Sequence, residues 1–66
     1  MSNKQSELGE KLRILRGDAS LEETAEKLGI SAFSLRSYEA GERIPRDEIK
    51  LRIADLYNVD IDIFLL

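Results

Sequence analysis

The sequence contains no cysteine and no histidine. Their absence removes disulfide cross-links, thiolate nucleophiles and the usual nitrogen and sulfur ligands of zinc. A metal site built from carboxylates alone would need the oxygen-ligand spacing of a calcium loop, and no segment has it. No apolar run approaches the ~20 residues needed to cross a bilayer. The opening stretch Met1-Ser2-Asn3-Lys4-Gln5 is polar and lacks the apolar region of a secretory signal, so a soluble, cytoplasmic protein is expected. No cofactor and no small-molecule ligand is expected. An excess of basic charge is missing as well. Ten basic against thirteen acidic residues give a net charge of −3, whereas a typical nucleic-acid binder is basic.

What the 66 residues do contain fits one domain spanning residues 1–66, since so short a chain rarely forms two cores. A domain of this size buries roughly 60% of its unfolded surface and has little room for a deep enzyme pocket. The hydrophobic fraction of 42% is that of a globular chain, not a disordered one. The charge is unevenly spread. Residues 1–16 hold four basic and two acidic side chains, and residues 31–46 hold three and two. Residues 17–30 hold one and four, and residues 47–66 two and five. A nucleic-acid contact made by the first and third of these segments would escape most of the acidic excess, with modest affinity and little non-specific background.

Gly17, Gly29, Gly41 and the single proline, Pro45, divide the chain into helix-length pieces. Leu8, Leu12 and Leu15 recur at the spacing of one helix face within residues 6–16, with Ser6 as the expected N-cap and Gly17-Asp18 as the closing turn. Ser20-Leu21-Glu22-Glu23 is a capping-box pattern, predicting a helix over residues 21–28 with Ala25 and Leu28 inward and Gly29 as its left-handed end. Ser31 caps a third helix through residue 40, with Leu35 and Tyr38 inward and Tyr38 at the core's edge. Pro45 interrupts helical continuity. Ile49, Ile53 and Leu56 mark a fourth helix over about 46–57, and Asp60 caps a last helical turn with Ile61, Phe64 and Leu65. The expected fold class is all-α, with five helical segments.

Two short helices joined by a glycine turn at Gly29-Ile30-Ser31, spanning residues 21–40, have the geometry of a helix-turn-helix. By itself such a corner is a weak signal, because any helical bundle can contain one. The wider pattern is more specific. Ala25-Glu26-Lys27-Leu28-Gly29-Ile30-Ser31, followed by Tyr38-Glu39-Ala40-Gly41-Glu42-Arg43-Ile44-Pro45, resembles the Cro/CI-repressor type of helix-turn-helix, also called the XRE family. The segments 45–54 and 59–65 fit the last two helices of that family, so the resemblance covers about residues 8–65. It looks closest to short single-domain members of phages and mobile elements.

The resemblance implies a five-helix, lambda-repressor-like fold and a sequence-specific regulator of transcription. The helix over residues 32–40 would be the recognition helix in the major groove, with Ala32, Phe33, Arg36 and Ser37 toward base edges. Ser20, Leu21, Ser31, Arg43 and Arg46 would lie near phosphates. Arg16 and Glu39 occupy positions that pair in many members. The chain also departs from the family. Leu21 stands where glutamine is common, Glu42 where a basic residue is common, and Ala32 and Phe33 can offer only apolar contact, for example to thymine methyls.

Several alternatives stand beside this reading. Phe33 either contacts bases or packs against the first or last helix. Arg36, Arg43 and Arg46 are DNA contacts or simply solvated charges, and Glu22-Glu23-Glu26 is a solvated helix face. The apolar ending 61–66 exceeds what one turn can turn inward. Leu56, Tyr57, Ile61, Ile63, Phe64 and Leu66 are therefore expected at a homodimer contact, unless the tail packs on its own domain. The expected partners are double-stranded DNA with a near-palindromic operator and a second copy, with polymerase or another regulator as further candidates. The protein would act by occupying the operator, as a repressor. The competing reading is an antirepressor or accessory protein-interaction module on the same fold. Paired carboxylates such as Asp47-Glu48 lack a pocket or nucleophile, so no enzyme is expected.

Overall fold

The computed structural model describes residues 4–64. Helix α1 runs Lys4–Arg16, α2 Leu21–Leu28, α3 Ala32–Glu39 and α4 Asp47–Tyr57, and a 3₁₀ turn follows at Ile61–Phe64. Among the described residues the architecture is thus all-α with four helices and a turn, not five helices. The last segment lies where the pattern placed it, but Asp60 Oδ1 accepts from the Asp62 amide at 2.9 Å and Ile63 N–H donates to Asp60 O at 3.2 Å. This local bonding winds the chain into the tighter i→i+3 turn instead of an α-helix. Helix α1 begins at Lys4, so Ser6 lies inside it and does not cap it.

The remaining helix ends follow the sequence closely. Ser20 and Ser31, both extended, accept from the amides of Glu23 and Ser34, each at 3.0 Å. The reciprocal half of the capping box, from Ser20 N–H to the Glu23 carboxylate, is not formed. Gly29 adopts φ +73°, Gly29 N–H donates to Glu26 O and Ile30 N–H to Ala25 O. That bond pair is a Schellman motif, and only glycine takes its left-handed position without steric cost. The same pair recurs after α3, from Gly41 to Tyr38 and Glu42 to Ser37, and after α4, from Asn58 to Asp55 and Val59 to Ala54. Asn58, which the sequence pattern did not single out, takes the left-handed cap with φ 54°.

Leu8, Leu12, Ala25, Leu28, Leu35, Tyr38, Ile53, Ala54 and Phe64 form the core, with Leu15, Ile49 and Leu56 half-buried at its margin. Helix α3 is central to it, packed against α1 and α2, while α4 closes over α2 and carries the 3₁₀ turn. Phe64 is 0% exposed. It therefore fills the core and is not available to the dimer contact in which the sequence placed it. Ile61 and Ile63 are half-buried against the same core, and Lys11 Nζ donates to Ile63 O at 3.0 Å, tying α1 to the turn. Leu65, expected in the last turn, and Leu66, expected at the dimer contact, lie outside the described residues.

The tightest crossing is between α1 and α3. A Cβ at Gly9 would stand 2.7 Å from the Tyr38 carbonyl oxygen and nearer still to that of Glu39. The missing side chain therefore lets the two backbones touch. Beside this crossing, Arg16 and Glu39 make a bidentate ion pair at 2.7 and 3.0 Å, as their positions suggested. Arg52 donates to Leu28 O at 3.1 Å and to Glu48 at 2.7 Å, linking α4 to the end of α2. Among the described residues, no buried side-chain nitrogen or oxygen lacks a hydrogen bond, and no helix is long and apolar enough to cross a membrane.

Candidate functional site

The functional candidates gather around the corner between α2 and α3. Ala25, 2% exposed, lets α2 approach closely, and Ile30 and Leu35 seal the junction from the core side. The two helices share a common end design. Each starts at an exposed serine that caps the third amide, and the serine carbonyl takes the fourth. The first two amides of each helix stay directed out of its positive end. Ser31 is further fixed by donating its hydroxyl to Ser34 Oγ at 3.0 Å.

Between the two helix starts lies an open cleft of about 310 Å³ lined by Leu21, Glu22, Ala32, Phe33 and Arg36. Four of these had been singled out in sequence, three as base contacts and Leu21 as a backbone contact. Leu21 and Ala32 are half-buried because their inner edges pack on the core. Phe33 is 63% exposed, so the alternative of packing against the first or last helix falls. The Arg36 guanidinium carbon sits 5.7 Å from the Phe33 ring centroid, one helical turn along. This cation–π contact holds a long side chain against the helix surface and limits its rotamers. Glu22, the fifth lining residue, is in sequence only part of the acidic helix face Glu22-Glu23-Glu26. Its place beside Leu21, Phe33 and Arg36 follows from how α2 and α3 meet, which no local sequence signal carries.

Ser37 does not belong to this surface. It is 3% exposed, directed into the α3 packing, where its carbonyl also takes the Glu42 amide of the helix end. The spacing that puts Ser37 one turn beyond Phe33 also puts it within reach of the buried face, and a small polar side chain satisfied there costs little. Arg43 and Arg46 are both exposed. Arg43 is anchored 5.4 Å over the Tyr38 ring, while Arg46 is the extended residue before α4 and makes no capping bond.

Behind the site, Arg16, Glu39 and Tyr57 bring together the ends of α1, α3 and α4. The hydrogen bonds to Glu39 hold the Arg16 guanidinium firmly charged. Burial pushes the Tyr57 phenol above its ordinary value, with the Glu39 carboxylate adding to the rise and Arg16 opposing it. No group of three or more metal-ligating side chains occurs among the described residues.

A family model described as a helix-turn-helix domain matches residues 7–62. The chain belongs to that family. No curated protein and no solved structure matches it. Helix-turn-helix domains place their second helix against DNA, so membership points to duplex DNA as the partner and to binding, not catalysis, as the activity. The matched span contains the whole α2–α3 corner, its cleft and the buttress of α1 and α4 behind it.

Proposed function

We propose that this helix-turn-helix chain is a sequence-specific transcriptional regulator of the Cro/CI-repressor type, which represses by occupying a near-palindromic operator as a homodimer. The observation that carries the reading is the exposed start of α3. Phe33 and Arg36 stand free of the core on a helix whose other face, Leu35, Ser37 and Tyr38, is locked into it. A rigid helix with one outward, chemically distinct edge is what reading base edges requires. Ser20, Leu21 and Ser31 surround it with outward helix amides, and Arg43 and Arg46 supply phosphate contacts.

Dimensions argue for two copies. The Cα atoms extend 31 Å along the longest axis. Successive major grooves on one face of DNA lie ~34 Å apart, so one protomer brings one recognition helix to one groove. The dimer would use the outward parts of Leu56, Tyr57, Ile61 and Ile63. Leu51, 59% exposed on α4, is a second apolar candidate for the contact, five and six positions from Leu56 and Tyr57 and so on another side of the helix.

The test is fluorescence anisotropy with duplexes tiled through the DNA flanking the protein's own gene, titrated with salt. One duplex bound at nanomolar concentration, with affinity falling steeply as salt rises, is the expected result. A folded dimer that binds no duplex at low salt would exclude it. That outcome favours the second reading, an accessory protein-interaction module on the same fold, for which Glu22 in the cleft and the net charge of −3 speak.

A further inference from the structure

Resting on the DNA-binding reading above, we infer that the cleft between α2 and α3 recognises the 5-methyl group of a thymine beside a G·C pair, with Phe33 and Arg36 acting as one stacked unit. Three of its five lining residues, Leu21, Ala32 and Phe33, are apolar, and Phe33 is 63% exposed at its edge. A solvent-exposed phenylalanine has no role in the core, and these side chains cannot hydrogen-bond a base. The thymine C5-methyl is the one apolar group that the bases present in the major groove. Arg36, held 5.7 Å from the Phe33 ring, offers a planar fork of donors. Guanine O6 and N7 form the acceptor pair that such a fork matches. Ionised Glu22 can only accept, and the N4 amine of the paired cytosine is the donor that lies beside those acceptors. The cleft's composition thus complements a thymine next to a G·C pair. Its side chains complement phosphate poorly, because Glu22 would repel it and Leu21, Ala32 and Phe33 have no donor; the outward helix amides are separate from them.

Because the Arg36 guanidinium lies against the ring, the two readings are coupled. Removing Phe33 frees Arg36 from its platform and should relax preference at the guanine as well as at the thymine.

The experiment starts by enriching duplexes from a random pool with the full chain, which yields the preferred site. Each thymine of that site is then replaced singly by deoxyuridine, which removes only the 5-methyl group, and affinity is read by anisotropy at fixed salt. One thymine per half-site should show a loss of about fourfold, the equivalent of one buried methyl group. Phe33→Ala, at an exposed position and checked for native circular dichroism, should bind the thymine and uracil duplexes equally. Arg36→Ala should lose on the order of tenfold discrimination at the neighbouring guanine. If an enriched site binds equally well with uracil at every position, or if Phe33→Ala keeps the thymine preference, the methyl inference is overturned while the regulator stands. If no sequence is enriched, both fall together, and the cleft passes to a protein partner.

Discussion

Replacing Gly9 by alanine tests the α1–α3 crossing because two physical effects pull in opposite directions. Gly9 lies within α1, where alanine is the better helix former by about 1 kcal/mol. If propensity decided, Gly9→Ala would stabilise the protein by that amount. The structure gives the opposite sign. The added methyl carbon would meet the carbonyl oxygens of Glu39 and Tyr38, the latter at 2.7 Å, and the Glu39 carbonyl carbon at 2.9 Å. All three are backbone atoms at the end of α3, so no side chain can swing aside. Ordinary contact begins at 3.4 Å. The two helices must therefore separate by several tenths of an ångström or more along a crossing that also carries the Arg16–Glu39 pair.

Overpacking of a well-filled contact costs typically about 1–3 kcal/mol, and a backbone obstacle belongs at the upper end. Offset by the propensity gain, the net loss should be about 1–2 kcal/mol. For a domain this small that corresponds to a fall of roughly 4–15 °C in Tm. Thermal and urea unfolding followed by circular dichroism at 222 nm would measure it, with Glu10→Ala at the exposed neighbouring position as a control for helix propensity. A Gly9→Ala variant as stable as the parent, or more so, would show that the close approach of α1 and α3 is wrong.

The other predictions address the buttress, the phosphate contacts and the dimer. Arg16→Ala should cost about 2 kcal/mol because it leaves the Glu39 side chain, 7% exposed, without its charged partner. A double-mutant cycle with Glu39→Ala should then show coupling of at least about 0.5 kcal/mol, and additive losses would refute the pairing. Tyr57 gives an alkaline signature. Its folded pKa is raised, so the folded state keeps a proton that the unfolded chain loses above about pH 10. The stabilisation is fully present below pH 10 and is lost as pH rises through the folded value, and Tyr57→Phe should flatten the fall in urea midpoint between pH 9 and 11. An unchanged alkaline profile in that variant would exclude this origin. Leu51→Lys, at an exposed position of α4, should leave unfolding nearly unchanged but weaken self-association measured by sedimentation. A dimer untouched by it leaves Leu51 outside the contact, which then rests on the side of α4 that carries Leu56 and Tyr57.

Much of the fold was legible because its punctuation is local. Ser20, Gly29, Ser31 and Gly41 each act through bonds to residues three or four positions away, so their chemistry appears in the sequence as spacing. Gly9 was not legible, because its partner is 30 positions along and its function is to have no side chain. Asn58 does the work of a glycine at a helix end, which composition alone does not announce. At the site, Leu21, Ala32, Phe33 and Arg36 could be named in advance because the family resemblance assigns their positions, and the fold brings them to one cleft. Ser37 was misplaced because a helix of eight residues has few positions, and those between its two faces can rotate into either. Phe64 was misassigned for a related reason. The surplus of apolar residues near the end was real, but which of them fills the core depends on where the 3₁₀ turn lands.

The scarcity of positive charge then bears on mechanism. On the proposed reading each protomer brings Arg43 and Arg46 to phosphates, with Arg36 committed to a base. Each neutralised phosphate contributes about −0.9 to the slope of log affinity against log salt, so one protomer should show about −2 and a dimer about −4. Two phosphate contacts supply little of the salt-dependent attraction, so a chain of net charge −3 must draw its affinity from base contacts or a second copy. Dimerisation therefore doubles the few phosphate contacts available as well as the sequence that is read. Arg43→Ala should reduce the dimer's slope by about 2, one unit per protomer, while lowering affinity for all duplexes alike. If the slope stays near −4 in that variant, Arg43 stacks on Tyr38 without reaching DNA, and the phosphate contacts must come from another surface, with the basic side chains of α1 the next to test.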